Sequence, residues 1–144
     1  FYFEDILPTD AVRISEIHTG TFNEILTYRI TYRTNMTGNY RVLADNLSTQ
    51  VNHDISCAIP GLAANEYITA IRFEFGTVQK DFANLTNPVL DVNVLPDLPD
   101  GHRIQNSVTI GGSCDGVPVY DKDYWVTVIV KMPDKPLPKT GIWE

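Results

Sequence analysis

The sequence predicts an all-β domain, a β-sandwich of about seven or more antiparallel strands joined as an immunoglobulin-like Greek key, with a closed barrel as the alternative. Three observations lead there. Apolar and polar residues alternate with period two along several segments, turn-forming residues separate those segments, and no run longer than about eight residues carries a 3.6-residue period. The chain has 144 residues, 43% hydrophobic and 20% charged, which suffices for one core but not for two ordinary domains.

The elements follow in order. Residues 12–17 are a weak strand candidate. In the next unit Leu26, Tyr28, Ile30 and Tyr32 point one way while Thr27, Arg29, Thr31 and Arg33 point the other, the pattern of a half-buried antiparallel strand. Residues 40–44 form a second weak candidate. Ile71, Phe73 and Phe75 then alternate with Arg72 and Glu74, and Leu90, Val92 and Val94 with Asp91 and Asn93. Ile104, Val108 and Ile110 share a face with Asn106, with Gln105, Ser107 and Thr109 opposite. Residues 124–130 are apolar on nearly both faces, which predicts a strand at the middle of the core. Breakers separate these runs: residues 35–39, Pro60-Gly61, Gly76, residues 96–101, Gly111-Gly112 and Asp115-Gly116. Residues 61–66 and 80–85 each have room for one helical turn.

From Pro133 the composition changes. Pro133, Pro136 and Pro138 fall within six residues, interleaved with Asp134, Lys135 and Lys139. A strand cannot continue through that density of missing amide donors. We therefore expect a folded domain over residues 1–131 and an extended, solvated proline-rich linker over 132–144.

Charge and motif content narrow the function. Eleven Lys and Arg against eighteen Asp and Glu give a net charge of -7, which repels phosphate backbones, so nucleic acid is not an expected partner. No apolar run approaches the roughly 18–20 residues of a membrane helix, and the chain opens at Phe1 without a secretory signal, so it reads as a piece of a longer protein. Cys57 and Cys114 have no Cys or His near enough to complete a zinc pattern, and no metal or cofactor is expected. The two cysteines are a candidate disulfide if the fold brings them together. Otherwise they are inert thiols in a chain large enough to need no staple.

His18, His53 and His102 are scattered, and neither G-x-S-x-G nor H-E-x-x-H occurs, so no catalytic residues are assigned and an enzyme is not expected. Asp97, Asp100, Asp115, Asp121 and Asp123 crowd the last turns without the spacing of a known calcium loop. Tyr2, Tyr40, Tyr67, Tyr120 and Trp143 are candidates for an aromatic platform that binds a sugar or a host protein. Lys122 and Lys131, at the two ends of the last strand, are candidates for a self-formed Lys-Asn crosslink, although lysines at strand ends commonly reach to water.

The tail carries the most specific signal, Leu137, Pro138, Lys139, Thr140 and Gly141. This pentapeptide resembles the LPxTG sorting signal of Gram-positive cell-wall proteins. The resemblance implies that a membrane-bound sortase cysteine attacks the Thr140 carbonyl, cuts before Gly141 and transfers the protein to peptidoglycan. The residue types suit that chemistry: Pro138 presets the backbone at little entropic cost, Leu137 offers an apolar anchor, and Gly141 leaves the scissile carbonyl uncrowded. The family pattern continues with an apolar span and a basic tail, which the resemblance expects beyond Glu144.

The body adds to this. Residues 26–35 (LTYRITYRTN), 40–43 (YRVL), 66–69 (EYIT), 72–78 (RFEFGTV) and 125–127 (WVT) resemble a module found just before the sorting signal in large surface proteins of Firmicutes. That resemblance spans most of the chain and implies an extracellular, cell-wall-anchored domain whose precursor is secreted and membrane-tethered; a monomeric domain is expected. It also implies that a strand begins upstream of Phe1. Sortase and peptidoglycan are the expected partners, with a host protein or glycan as the alternative partner of an adhesin-type module.

Overall fold

The computed structural model, which describes residues 1–129, with residues 123–125 described by their backbone alone, has eleven strands. In chain order these are β1 (Tyr2–Ile6), β2 (Val12–His18), β3 (Thr21–Phe22), β4 (Thr27–Thr34), β5 (Thr37–Ser48) and β6 (Asp54–Ser56). There follow β7 (Ile68–Glu74), β8 (Asn84–Thr86), β9 (Val89–Val94), β10 (Arg103–Cys114) and β11 (Val117–Val128). All pairings are antiparallel. One sheet has six strands in the order β11-β10-β1-β7-β4-β5, a second has the order β6-β2-β9, and β3 pairs with β8.

The large sheet buries the face read from the sequence. Tyr28, Ile30 and Tyr32 of β4 and Ile71 and Phe73 of β7 join Ile17 of β2 and Phe22 of β3 in one core, with Phe75 just beyond β7. Phe73 is completely buried at its centre, and Phe3 of β1 stacks on it with ring centroids 4.2 Å apart. The result is an all-β sandwich. Neither sheet has the four-plus-three strand make-up of an immunoglobulin domain, so the Greek key expected from the sequence is not established by this order.

Two expectations are corrected. The stretch expected at the middle of the core, residues 124–130, falls on β11 over 124–128, and β11 is an edge strand of the large sheet with Thr127 and Val128 exposed. Apolar side chains on both faces of a strand do not say which strand will lie beside it. The central place goes to β1 and β7, whose outer faces are charged but covered by neighbouring side chains. The candidate helical turns at 61–66 and 80–85 are also absent: the first is irregular with tight turns, and the second is a turn leading into β8.

The candidate pairing of Cys57 with Cys114 is not formed. Cys57 is buried in the core, Cys114 is exposed at the end of β10, and both thiols are free. Burial pushes the Cys57 thiol up to about 12, so it stays protonated and unreactive at neutral pH.

Two glycines are required by close approach. Gly20 adopts φ 70° where β3 begins, and a Cβ there would run into the Thr86 carbonyl oxygen. A Cβ on Gly111 would lie 2.5 Å from the ring of Tyr2, which needs that space to cross β10.

Candidate functional site

The sorting pentapeptide, Leu137 to Gly141, and the junction between domain and linker lie outside the described residues, as do Lys131 and Trp143. The described domain offers three places where side chains with chemistry meet.

The first is the outer face of the large sheet. Register puts Tyr2 opposite Gly111, and Gly111 opposite Tyr120, so both tyrosines project from the same face with the glycine between them. Arg72, on the neighbouring strand, lies over the Tyr2 ring at 4.4 Å and the Tyr40 ring at 4.2 Å. Its guanidinium donates from Nε at 3.0 Å and Nη2 at 2.6 Å to Glu4 Oε2, the same oxygen that accepts a short bond from the Tyr40 hydroxyl. Burial, and then the bond to Glu4, push the Tyr40 phenol up to about 12.

Three of the five candidate platform residues therefore share one face. Tyr67 does not join them: it precedes β7 at the opposite end from Glu74, and its ring covers Arg13 at 3.8 Å. Among the described platform residues Tyr120, 66% exposed, is the most open to solvent.

The second place joins the edges of the smaller sheet. Glu16 on β2 stands directly opposite Asp91 on β9, a like-charge pair that repels across the strands. His18 resolves it, with Nδ1 2.6 Å from Asp54 Oδ1 and Nε2 2.8 Å from Asp91 Oδ2. Bonds to Asp54 and then to Asp91 raise the imidazole to about 9, so it is a cation at neutral pH. Glu16, His18 and Asp91 are also the one grouping of metal-ligand atoms within 4.8 Å of one another among the described residues. Both ring nitrogens are already held by carboxylates, so the arrangement is a charge triad before it is a ligand set. The turn aspartates singled out in the sequence do not form such a group among the described residues.

The third place is a cavity of about 390 Å³, partly open to solvent, lined by the inner faces of β1 and β10 and by Phe22 and Phe82. Asp5 and Asn106 are polar members of that lining. Sequence reading noticed Asn106 as a polar residue in an apolar row. It missed Asp5, because only the pairing of β1 with β10 reveals which face of β1 is internal.

The remaining candidates separate. His53 Nε2 bonds the Ser48 carbonyl at 3.0 Å, and His102 Nε2 lies 3.2 Å from Asp10, so the histidines have different partners. Lys122 is exposed and shares strand parity with Tyr120 on the outer face, while the buried Asp5 faces inward.

No family model, curated protein or solved structure matches the chain.

Proposed function

We propose that the chain is the wall-proximal spacer of a Gram-positive surface protein, fastened to peptidoglycan through its tail. The observation that carries this reading is the pentapeptide Leu137-Pro138-Lys139-Thr140-Gly141, set after a proline-rich stretch at the end of a β domain. The domain is a substrate in this chemistry. A sortase thiolate adds to the Thr140 carbonyl and expels the Gly141 amine, and the resulting thioester passes to an amine of the wall precursor. A sandwich with a buried aromatic core suits mechanical and positional work outside the cell, and the proline-rich composition from Pro133 suits a linker that would present the cleavage point to an enzyme.

The test is transpeptidation of the full chain by a purified sortase with triglycine as acceptor, read by whole-protein mass. Loss of residues 141–144 and gain of triglycine is the expected result, abolished by Thr140→Ala. An unchanged mass, with an enzyme that cuts an LPKTG peptide in parallel, overturns the reading.

A second reading is an adhesin-type module that binds a host protein or carbohydrate. The alignment of Tyr120, Tyr2 and Tyr40 on one sheet face favours it, because aromatic faces stack on sugar rings and anchor protein interfaces. Retention on a glycan array that is lost in Tyr120→Ala supports this reading, and no retention of the wild-type chain removes the carbohydrate version of it.

A further inference from the structure

The inner rows of β1 and β10 are each apolar except at one position. On β1 the row runs Phe1, Phe3, Asp5, Leu7, and on β10 it runs Ile104, Asn106, Val108, Ile110. Register places Asp5 opposite Val108, one step along the face from Asn106, whose Nδ2 donates to Asp5 Oδ2 at 3.3 Å. The two remaining oxygens, Asp5 Oδ1 and Asn106 Oδ1, are buried and accept no hydrogen bond. Asp5 is only 7% exposed, and both residues line the cavity of about 390 Å³.

Two acceptors with no donor define the chemistry that is missing. A buried acceptor without a partner costs about 1–3 kcal/mol, and a carboxylate costs more. A water can bridge two oxygens but brings no charge, and its share of space, about 30 Å³, is a small part of this volume. No Lys, Arg or His side chain is among the described residues lining the cavity, and the Phe1 ammonium is held by the Gly76 carbonyl at 2.7 Å, so no described lining side chain supplies a counter-ion to Asp5. The rest of the wall includes the rings of Phe1, Phe3, Phe22 and Phe82, which favour an apolar body and attract a cation to their faces.

We propose that this cavity binds a small primary ammonium carried on an aromatic or branched alkyl group, its N–H donors on Asp5 Oδ1 and Asn106 Oδ1 and its body among the phenylalanine rings. A primary ammonium has at least the two donors required and the compensating charge. A carboxylate would face Asp5 directly, and a neutral ring would leave both oxygens unpaired. The volume lies near the lower end of ligand pockets, roughly 300–1,000 Å³, which suits a body of one ring.

The experiment is calorimetric titration of the full chain with phenethylammonium chloride, with 2-phenylethanol as the neutral isostere, repeated on Asp5→Asn. Saturable binding of the ammonium, at least about tenfold tighter than the alcohol and weakened at least about tenfold by Asp5→Asn, is expected from one lost charge-assisted hydrogen bond. Asp5→Asn replaces a costly buried acid with a neutral amide of the same shape, so the variant folds, and thermal unfolding in parallel verifies it. No saturable binding at millimolar ammonium, equal affinity for the alcohol, or unchanged affinity in folded Asp5→Asn each overturns the proposal.

Discussion

Arg72 directs two hydrogen bonds, at 2.6 and 3.0 Å, to the single oxygen Oε2 of Glu4 on the adjacent strand, while the rings of Tyr2 and Tyr40 flank its guanidinium. A charge at the centre of a six-stranded sheet is thereby compensated on every side. Arg72→Ala removes both bonds and both ring contacts and leaves Glu4, 15% exposed, without its cation. The expected loss is about 2–4 kcal/mol in chemical denaturation. Arg72→Lys recovers only part of it, because an ammonium cannot reproduce the planar fork. A loss below about 0.5 kcal/mol for Arg72→Ala contradicts this account, since that is what an exposed pair contributes.

Tyr40 reports on the same cluster. Its phenol is raised to about 12 by burial and by donating to Glu4, so it should be among the last tyrosines to ionise. In an ultraviolet titration, Tyr40→Phe is expected to remove a late-titrating step and leave the earlier tyrosinate signal intact. Loss of a step near pH 10 instead contradicts the burial argument.

His18 makes stability fall in mild alkali. Its folded-state pKa of about 9 lies above the ordinary 6.5, so the protonated form contributes stability in full below pH 6.5. That contribution disappears as pH rises through about 9. The groups facing it are Asp54, Asp91 and Glu16, all acids. Midpoints of urea unfolding should decline between pH 6.5 and 9 in the wild type and stay flatter in His18→Gln. High salt is expected to reduce the difference, because the triad is solvent-exposed.

Asp5 acts in the acid range with the same sign. Desolvation raises its carboxyl from 3.8 to about 6, so the folded state holds the proton more firmly than the unfolded chain. Its effect is a loss of stability as pH rises through that window. Asp5→Asn should remove this slope and stabilise the ligand-free domain at pH 7 by about 1–3 kcal/mol. A destabilised variant contradicts the assignment of Asp5 as an uncompensated buried acid.

Phe73 tests the core. It is completely buried, stacks on Phe3 at 4.2 Å and lies 5.9 Å from the Tyr28 ring. Phe73→Ala is expected to cost about 3–5 kcal/mol in equilibrium unfolding. Val119→Ala, on an exposed position of the edge strand β11, should stay within about 0.5 kcal/mol of wild type.

Much of the strand content was legible because a half-buried strand writes its geometry into its sequence. β4 and β7 alternate with one face in the core, and both appear as read, with Ile30 and Phe73 inward and Arg29 and Glu74 outward. β1 was not legible. Tyr2, Phe3, Glu4, Asp5 and Ile6 show no clean alternation, because Glu4 on the outer face is neutralised by Arg72 while Asp5 interrupts the inner face. The sites divide in the same way. The tail pentapeptide is a local string and needs no fold to be seen, whereas Asp5 with Asn106 and His18 with Asp91 are pairs 101 and 73 positions apart.

The sequence by itself determined that the domain is built from strands, which faces of β4 and β7 are apolar, and that a sorting-like motif follows the fold. Those properties depend on neighbours within a few residues along the chain, where period-two geometry and turn chemistry act directly. Only the tertiary structure decided that β1 takes a central place while β11 takes an edge, and that an acid and an amide meet with two oxygens unpaired inside a cavity. Strand order is a choice among pairings that satisfy the backbone almost equally well. It is made by the summed packing of the whole core, a quantity that no single segment carries.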